Sequence, residues 1–277
     1  MTVRIVTDST ADLPDFLVAE LGITVVPLHI HFGEETYEDG VTISKDEFYK
    51  RLVTSPKLPK TSAPSSGAFT ETYAQLAEET DEIVSIHISS RLSATYQSAT
   101  VARDTFPAET SISVIDSRFA TIGLGLIVEQ AARMARSGER AAIIVKEVEA
   151  AISRTHLFGV VDTLEYLHKG GRIGMASALL GSLLKVKPII GVRDGIVHPI
   201  ERVRGREKAF DRLVEMVSKF ETISRLAVAH TTAEDEMERL VERLSGFFPP
   251  EKMMCSRCGA TLGTYLGPDT LCIALLQ

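Results

Sequence analysis

Apolar residues along the first half of the chain fall into short buried-type runs separated by stretches of helical period. Val3 to Thr7, Thr24 to Ile30, Ile83 to Ile88 and Ile112 to Ile115 read as strands. Leu13 to Leu21, Ser66 to Glu79, Ser93 to Thr105, Phe119 to Ser137 and Arg140 to Thr155 read as helices, with Gly22 and Gly138 placed as C-terminal stops. Strands alternating with helices predict βαβ units around a mostly parallel sheet. The segment from Phe32 to Pro64 breaks this rhythm with two glycines, three prolines and many charges. It predicts an irregular excursion with little beyond a helical turn near Asp46 to Leu52, and a long excursion of that kind often serves a binding site.

Beyond residue 155 the pattern changes. Leu157 to Val161 predicts a strand, Thr163 to His168 a helical turn and Ile173 to Leu184 a helix interrupted upstream by Gly170-Gly171. Pro188 to Val192 and Ile196 to Val203, joined by Asp194-Gly195, predict a β-hairpin, because that dipeptide suits the left-handed turn conformation. Leu226 to His230 and Leu271 to Leu275 add strands, and Ala233 to Leu244 a charged amphipathic helix. The expected organisation is an N-terminal three-layer α/β/α domain over residues 1–155 and a C-terminal α+β domain with a mixed sheet over residues 156–277. No repeat of solenoid length is visible.

Composition narrows the function. The 277 residues are 44% hydrophobic and 24% charged, ordinary for a globular protein, and the net charge of −7 argues against general nucleic-acid binding. The longest apolar run, Phe119 to Val128, is about half of what a bilayer requires, so no transmembrane segment is expected. Three cysteines and the absence of an apolar leader at the start make a reducing cytoplasm the expected location. The charge is uneven: Lys169 to Arg212 holds ten basic and four acidic residues, a net of +6 that leaves −13 elsewhere. Such a segment is either a solvated face laced with ion pairs or a docking patch for an acidic partner.

Three strand ends share one chemistry. They are Thr7-Asp8-Ser9-Thr10, then Ser89-Ser90-Arg91-Leu92-Ser93-Ala94-Thr95, then Asp116-Ser117-Arg118. Ligands of open α/β sheets sit beyond strand carboxyl ends, and helix N-termini attract anions. The competing explanation is helix capping, since Ser, Thr and Asp are favoured caps. With Ser89 or Ser90 as the cap, Ser93 is left free to face a ligand. In Thr61-Ser62-Ala63-Pro64-Ser65-Ser66 the cap falls to Ser65 or Ser66, which leaves Thr61 and Ser62 unassigned.

The chain has no GxxxxGK[ST], HExxH or GxSxG motif, and Gly123-Leu124-Gly125 is a broken dinucleotide fingerprint better read as a helix with a small-residue face. Cys255-Ser256-Arg257-Cys258 lacks the second ligand pair that zinc requires, so no metal and no cofactor is expected. His29, His31, His87 and His230 lie in or beside strands, where a hydrogen-bonded, partly buried role is the ordinary one.

Taken in order along the chain, Thr7-Asp8-Ser9-Thr10-Ala11-Asp12-Leu13, Thr61-Ser62-Ala63-Pro64-Ser65, Ser89 through Ala99, Lys169-Gly170-Gly171-Arg172-Ile173, Lys187-Pro188-Ile189, Asp194-Gly195 and Val203-Arg204-Gly205 resemble the DegV family of bacterial lipid-binding proteins over essentially the whole length. The resemblance implies a two-domain fold enclosing a long-chain fatty acid such as palmitate, with the carboxylate held by the hydroxyls at Thr61 and Ser93, and Ser62 adjacent. Some members are carrier subunits that present the fatty acid to a separate ATP-binding kinase subunit for acyl-phosphate formation. On that analogy Arg172, Arg202 and Arg204 form the partner-docking surface. Near the C-terminus the family often carries a histidine where this chain has Tyr265, which bears on kinase coupling.

Elementary energetics agree. At roughly 0.8 kcal/mol per buried CH₂, a tail of about sixteen carbons supplies on the order of 10 kcal/mol before ordering costs, so hydroxyls need only orient the head. Phe69, Phe119, Ile122, Leu124 and Leu126 are candidate tail-lining residues. The alternative is a hydrolase or acyl transferase with Ser93 as nucleophile, which requires a histidine base and a carboxylate within reach.

Overall fold

The computed structural model describes residues 3–180 and 186–277. The chain opens with β1 (Arg4–Asp8), α1 (Asp15–Leu21) and β2 (Thr24–Val26). A small antiparallel unit follows, made of β3 (His29–Phe32), β4 (Glu35–Glu38), α2 (Lys45–Thr54) and β5 (Lys60–Ser62). The alternating pattern then resumes with α3 (Ser66–Ala77), β6 (Glu82–His87), α4 (Thr95–Asp104), β7 (Ser111–Asp116), α5 (Thr121–Arg136) and α6 (Ala141–Arg154).

The main N-terminal sheet is parallel throughout, in the order β2-β1-β6-β7. Its strands are covered on both faces, which is why successive residues of β1 and β6, Ile5-Val6 and Ile83-Val84, are all apolar. Successive residues serve opposite sides. Ile5 and Val84 pack toward α5 and α6, whereas Val6 and Ile83 pack with Phe69 and Tyr73 of α3 and Ala99 and Ala102 of α4. This is the expected three-layer arrangement.

Two expectations for the first half are corrected. The run Thr24 to Ile30 is not one strand: Pro27-Leu28 divides it between the parallel sheet and the antiparallel one, order β4-β3-β5. The excursion from Phe32 to Pro64 is also structured. Ser44 caps a ten-residue α2 by accepting from Glu47 N, and Ile30, Ile43, Phe48, Tyr49 and Leu52 form its own apolar cluster. Its strands are three or four residues long and pair across about thirty positions, so no local periodicity announces them.

The second half contains β8 (Thr155–Val160), α7 (Glu165–Lys169), β9 (Val186–Arg193), β10 (Ile196–Arg204), α8 (Arg206–Val217), β11 (Arg225–His230), α9 (Glu234–Leu244), β12 (Met254–Arg257), α10 (Ala260–Leu266) and β13 (Leu271–Leu276). Its mixed sheet runs β10-β9-β8-β13-β11-β12, with only β11 and β12 parallel. Of the helix expected over Ile173 to Leu184, a 3₁₀ stretch spans Gly174–Leu179, and residues 181–185 lie outside the described residues. The hairpin forms as expected, with Asp194 at φ 51° and Gly195 at φ 78°, both left-handed.

α8 and α9 cover one face of this sheet. The other face rests on α5, which is buried along twelve of its sixteen residues and lies between the two sheets. The small-residue face explains the fit: a Cβ on Gly125 would stand 2.6 Å from the Ala11 carbonyl oxygen. Among the described residues no helix is long and apolar enough to cross a membrane.

Candidate functional site

Where the two halves meet, the structure forms a cavity of about 260 Å³ that is partly open to the surface. Its walls are mostly apolar, drawn from Leu92, Leu157, Val161, Ile190, Val192 and Leu262 among others. The polar groups on them are the hydroxyls of Thr61, Ser62, Ser93, Thr121, Thr261 and Tyr265, the Cys272 thiol and the Arg172 guanidinium. Among the described residues no His, Asp or Glu lines it.

Thr61 and Ser62 arrive on β5, which pairs with β3. Thr61 Oγ1 lies 2.6 Å from Tyr265 Oη, and Ser62 Oγ lies 2.9 Å from His31 Nε2. Ser65 caps α3 by accepting from Ala68 N, as expected. Ser93 is different from the expectation. Ser89 and Ser90 do not cap α4: Ser89 Oγ donates to Gly195 O at 2.8 Å, and Ser90 Oγ donates to Asp116 at 2.5 Å. Ser93 itself meets the helix start, accepting from Thr95 N at 3.3 Å with its oxygen 2.9 Å from Thr95 Oγ1. Its hydroxyl still faces the cavity, so a capping contact and cavity exposure coexist on one residue.

The other strand-end clusters do not reach the cavity. Thr7 Oγ1 donates to Ile86 O, Ser9 Oγ is held between Leu28 N and Asp39, and Thr10 donates to Asp8, all in the interior. Asp116 and Ser117 stabilise their own turn through Arg118 N and Phe119 N.

The five residues expected to line a tail channel are also placed elsewhere. Phe69 packs against Tyr73 and the His87 ring. Phe119, Ile122, Leu124 and Leu126 belong to the core between the sheets. From this segment the cavity instead receives Ala120 and Thr121. For Ile122, Leu124 and Leu126 the reason is the burial of α5 between the two sheets, which turns its large side chains into packing between layers.

Two devices fix the cavity walls. At one, the tip of the β9–β10 hairpin is clasped by the loop after β6: Ser89 holds Gly195 O, and Arg91 donates to Asp194 O at 3.0 Å. A Cβ on Gly195 would stand 2.5 Å from Ser89 Oγ, so glycine is required there for the approach as well as for the turn.

At the other, two aspartates from the N-terminal half grip the start of α10. Asp39 accepts from Ala260 N at 2.8 Å and Thr261 N at 3.0 Å, and Asp12 accepts from Gly259 N at 2.7 Å and from Thr121 Oγ1 at 2.7 Å. Carboxylates at a helix start satisfy amides that have no partner within the helix. α10 in turn presents Thr261 and Tyr265, one turn apart, to the cavity. Thr261 Oγ1 is buried and has no hydrogen-bond partner. The Tyr265 ring lies under the Arg172 guanidinium, 5.2 Å from its centroid, and against Gly170, where any side chain would overlap it. Asp39 and Thr261 carried no sequence signal, and Asp12 appeared only within a block shared with the family, because their grip on α10 depends on contacts more than 200 residues apart.

Burial raises the Asp12 carboxyl to about 6, against the opposing pull of Lys45 and its hydrogen bonds. A carboxyl whose folded pKa lies above its unfolded value of 3.8 contributes stability that is fully present below pH 3.8 and is lost as pH rises to about 6. The penalty above that is on the order of 3 kcal/mol. Asp12 sits at φ 49°, which asparagine tolerates. Asp12→Asn should therefore lose this downward slope between pH 4 and 6 in denaturant titrations; a slope equal to that of the unsubstituted chain would refute the assignment.

Burial also pushes the Cys272 thiol up to about 12, with Asp12 adding to it. The thiol of Cys258 is likewise raised well above its usual range by burial. These are inert, packed sulfurs rather than a redox pair. Among the described residues no group of three His, Cys, Asp or Glu is placed to hold a metal.

Comparison with known proteins places this architecture. The profile of the DegV family, described as uncharacterised proteins, matches residues 2–277. A DegV domain-containing protein of Deinococcus radiodurans is 38% identical over 278 residues, covering 99% of this chain and 98% of its own. Among solved structures, a DegV family protein from Thermus thermophilus, described for its fatty acid binding, superposes with a TM-score of 0.93 at 32% identity, covering 100% of both chains. DegV from Bacillus subtilis, described as a fatty acid binding protein, superposes with a TM-score of 0.90 at 33% identity over 100% of both chains.

Proposed function

The chain belongs to the DegV family, and on that premise we propose that it binds a long-chain fatty acid, its tail in the cavity between the two halves and its carboxylate at Thr61 and Ser93. One observation carries this reading: a largely apolar, partly open cavity whose polar groups, Arg172 apart, are uncharged alcohols, a phenol and a thiol. Apolar walls reward a hydrocarbon tail, hydroxyls satisfy a carboxylate's lone pairs, and Arg172 supplies the opposite charge at the edge. The unpartnered Thr261 hydroxyl adds support, since an orphaned buried donor costs about 1–3 kcal/mol that a ligand oxygen would relieve. Each candidate oxygen already has a protein neighbour, Tyr265 for Thr61, Thr95 for Ser93 and His31 for Ser62. Tyr265 stands where the family often has histidine, and its phenol reaches Thr61 directly.

The Ser93 hydrolase or transferase reading is disfavoured by the same wall: Ser93 has only Thr95 as a hydrogen-bond partner, and no histidine lines the cavity among the described residues. A carrier role that presents the fatty acid to an ATP-binding kinase subunit is the finer form of the proposal. Within the basic segment, ion pairs absorb Lys169, Lys187, Arg206 and Arg212. Arg202 donates to the carbonyls of Ala178 and Leu180 at 3.3 Å, and Arg204 is exposed, which leaves their charge available to a partner.

The test is organic extraction of the purified protein followed by mass spectrometry, with palmitate titration of the stripped form. Long-chain acid in the extract and saturable uptake are expected; a lipid-free extract together with no uptake would reject the proposal. In the same preparation, reversal of Arg202 and Arg204 to glutamate should abolish capture of a kinase subunit while leaving palmitate uptake intact.

A further inference from the structure

The ladder joining β8 to β9 is short. It consists of Val160 with Ile189, Gly159 with Ile190 and Phe158 with Gly191, and there it stops. Beyond it both strands continue, each held on its outer side: β8 stays paired with β13 as far as Thr155 opposite Leu276, and β9 stays paired with β10 as far as Arg193 opposite Ile196. The sheet therefore divides into a fork. Leu157 stands on one prong and Val192 on the other.

The fork lies where the cavity meets the outside. Leu157, Phe158, Gly191 and Val192 line both the cavity and a surface groove of about 490 Å³. The groove mixes the apolar side chains of Ile200, Met216 and Phe220 with a basic rim of Arg193, Arg212 and Lys219, and Ile200 is 41% exposed. At the crotch Gly191 has no side chain and is covered by Ile200, whose Cδ1 would stand 3.0 Å from a Cβ placed there, while its paired residue Phe158 packs into the cluster under α8.

The cavity's direction follows from the packing. Val161 and Ile190 cluster with Leu92, Tyr265 and Leu266, at the end that carries Thr61 and Arg172. Leu157 and Val192 pack with the α5 core, and Leu92 and Leu266 bridge the two clusters. From Val161 to Leu157 is four residues of extended strand, about 13 Å. The volume of about 260 Å³ also falls below the roughly 300 Å³ at which small-molecule pockets begin. A long tail laid from the hydroxyls along β8 reaches the fork with carbons still to place.

We infer that the fork between β8 and β9 is the distal port of the cavity, passing the methyl end of a long acyl chain into the outer groove, and that Leu157 and Val192 set the acyl length the protein accepts. This rests on the fatty-acid reading above. A bulky residue on either prong closes the port, and a small one widens it. Each pair of methylenes denied burial weakens binding by about fifteenfold.

The experiment is equilibrium binding of a saturated series from lauric to behenic acid to the intact chain, to Val192→Phe and to Leu157→Ala, each checked by thermal melting. Val192→Phe should shift the preferred length shorter by at least one pair of methylenes while keeping lauric acid, and Leu157→Ala should shift it longer. Should Val192→Phe fail to fold, Leu157→Ala decides alone by the same criterion. Unchanged length profiles in the folded variants would overturn the port. Absence of binding by the unsubstituted chain to every acid would instead sink the fatty-acid reading itself.

Discussion

Replacing Asp8 with alanine should cost about 3–5 kcal/mol of folding stability, an appreciable part of the ~5–15 kcal/mol that keeps a typical domain folded. Asp8 is fully buried at the end of β1 and serves four donors. Its Oδ1 accepts from the amide and hydroxyl of Thr10, and its Oδ2 lies 3.0 Å from His87 Nδ1 and accepts from Ile88 N at 3.0 Å. The chain of contacts continues inward. His87 Nε2 is 2.7 Å from Ser85 Oγ, which accepts from Tyr73 Oη at 2.9 Å. Burial accordingly raises the Tyr73 phenol to about 12.

Alanine at position 8 strands an imidazole nitrogen and a backbone amide in a dry interior, and each stranded group bears its full desolvation cost. Asp8→Asn keeps one acceptor oxygen and should lose less. Tyr73→Phe, which removes one neutral bond at the far end, should cost about 1 kcal/mol. Chemical denaturation of the three variants checks the ranking. A loss below about 1 kcal/mol for Asp8→Ala would show that water or relaxation satisfies what the structure leaves to the carboxylate.

The same aspartate marks how far the sequence could be read. Thr7-Asp8-Ser9-Thr10 looks like Ser89 through Thr95 on paper: a strand end rich in hydroxyls and followed by a helical turn. What separates them is what the next layer places over each. The first cluster is covered by β6 and by the Asp39 loop, so its hydroxyls spend themselves internally, whereas the second opens onto the gap between the halves. Local composition announces both and distinguishes neither.

The alternation of strands and helices was legible because parallel strands buried on two faces leave continuous apolar runs. The β9–β10 hairpin was legible because its turn chemistry is local. The β3–β4–β5 sheet was not, since its strands are only three or four residues long and β5 pairs with β3 across about thirty positions. α8 carries a helical stripe in Ala209, Phe210, Leu213 and Val217, and its first half overlaps the end of the basic run. Thr61 and Ser93 were found by asking which hydroxyls a cap did not need. That reasoning reached Thr61, Ser62 and Ser93 among the cavity's hydroxyls but not Thr121, Thr261 or Tyr265, and it misjudged Ser93, which also meets its helix. The tail-lining residues were misplaced for a related reason: an apolar helix face is identical in sequence whether it meets a ligand or another sheet.

The double substitution Thr61→Val with Ser93→Ala should weaken palmitate binding by at least about a hundredfold, since hydrogen bonds to a charged group contribute about 1.5–3 kcal/mol each. Two confounding effects have to be separated. Ser93 accepts from Thr95 N, so alanine there also loosens the start of α4, and valine at 61 leaves Tyr265 Oη without its partner. Both would depress the affinity for any ligand in the cavity, charged or not. Methyl palmitate isolates the term of interest, because it has the same tail and lacks the carboxylate. If the hydroxyls hold the charged head, the preference for acid over ester collapses in the double variant while ester affinity stays within a few-fold. If they only shape the wall, acid and ester weaken together and their ratio is preserved. Arg172 remains in both variants at the cavity's edge, so a preserved ratio would move the weight of carboxylate recognition onto that guanidinium.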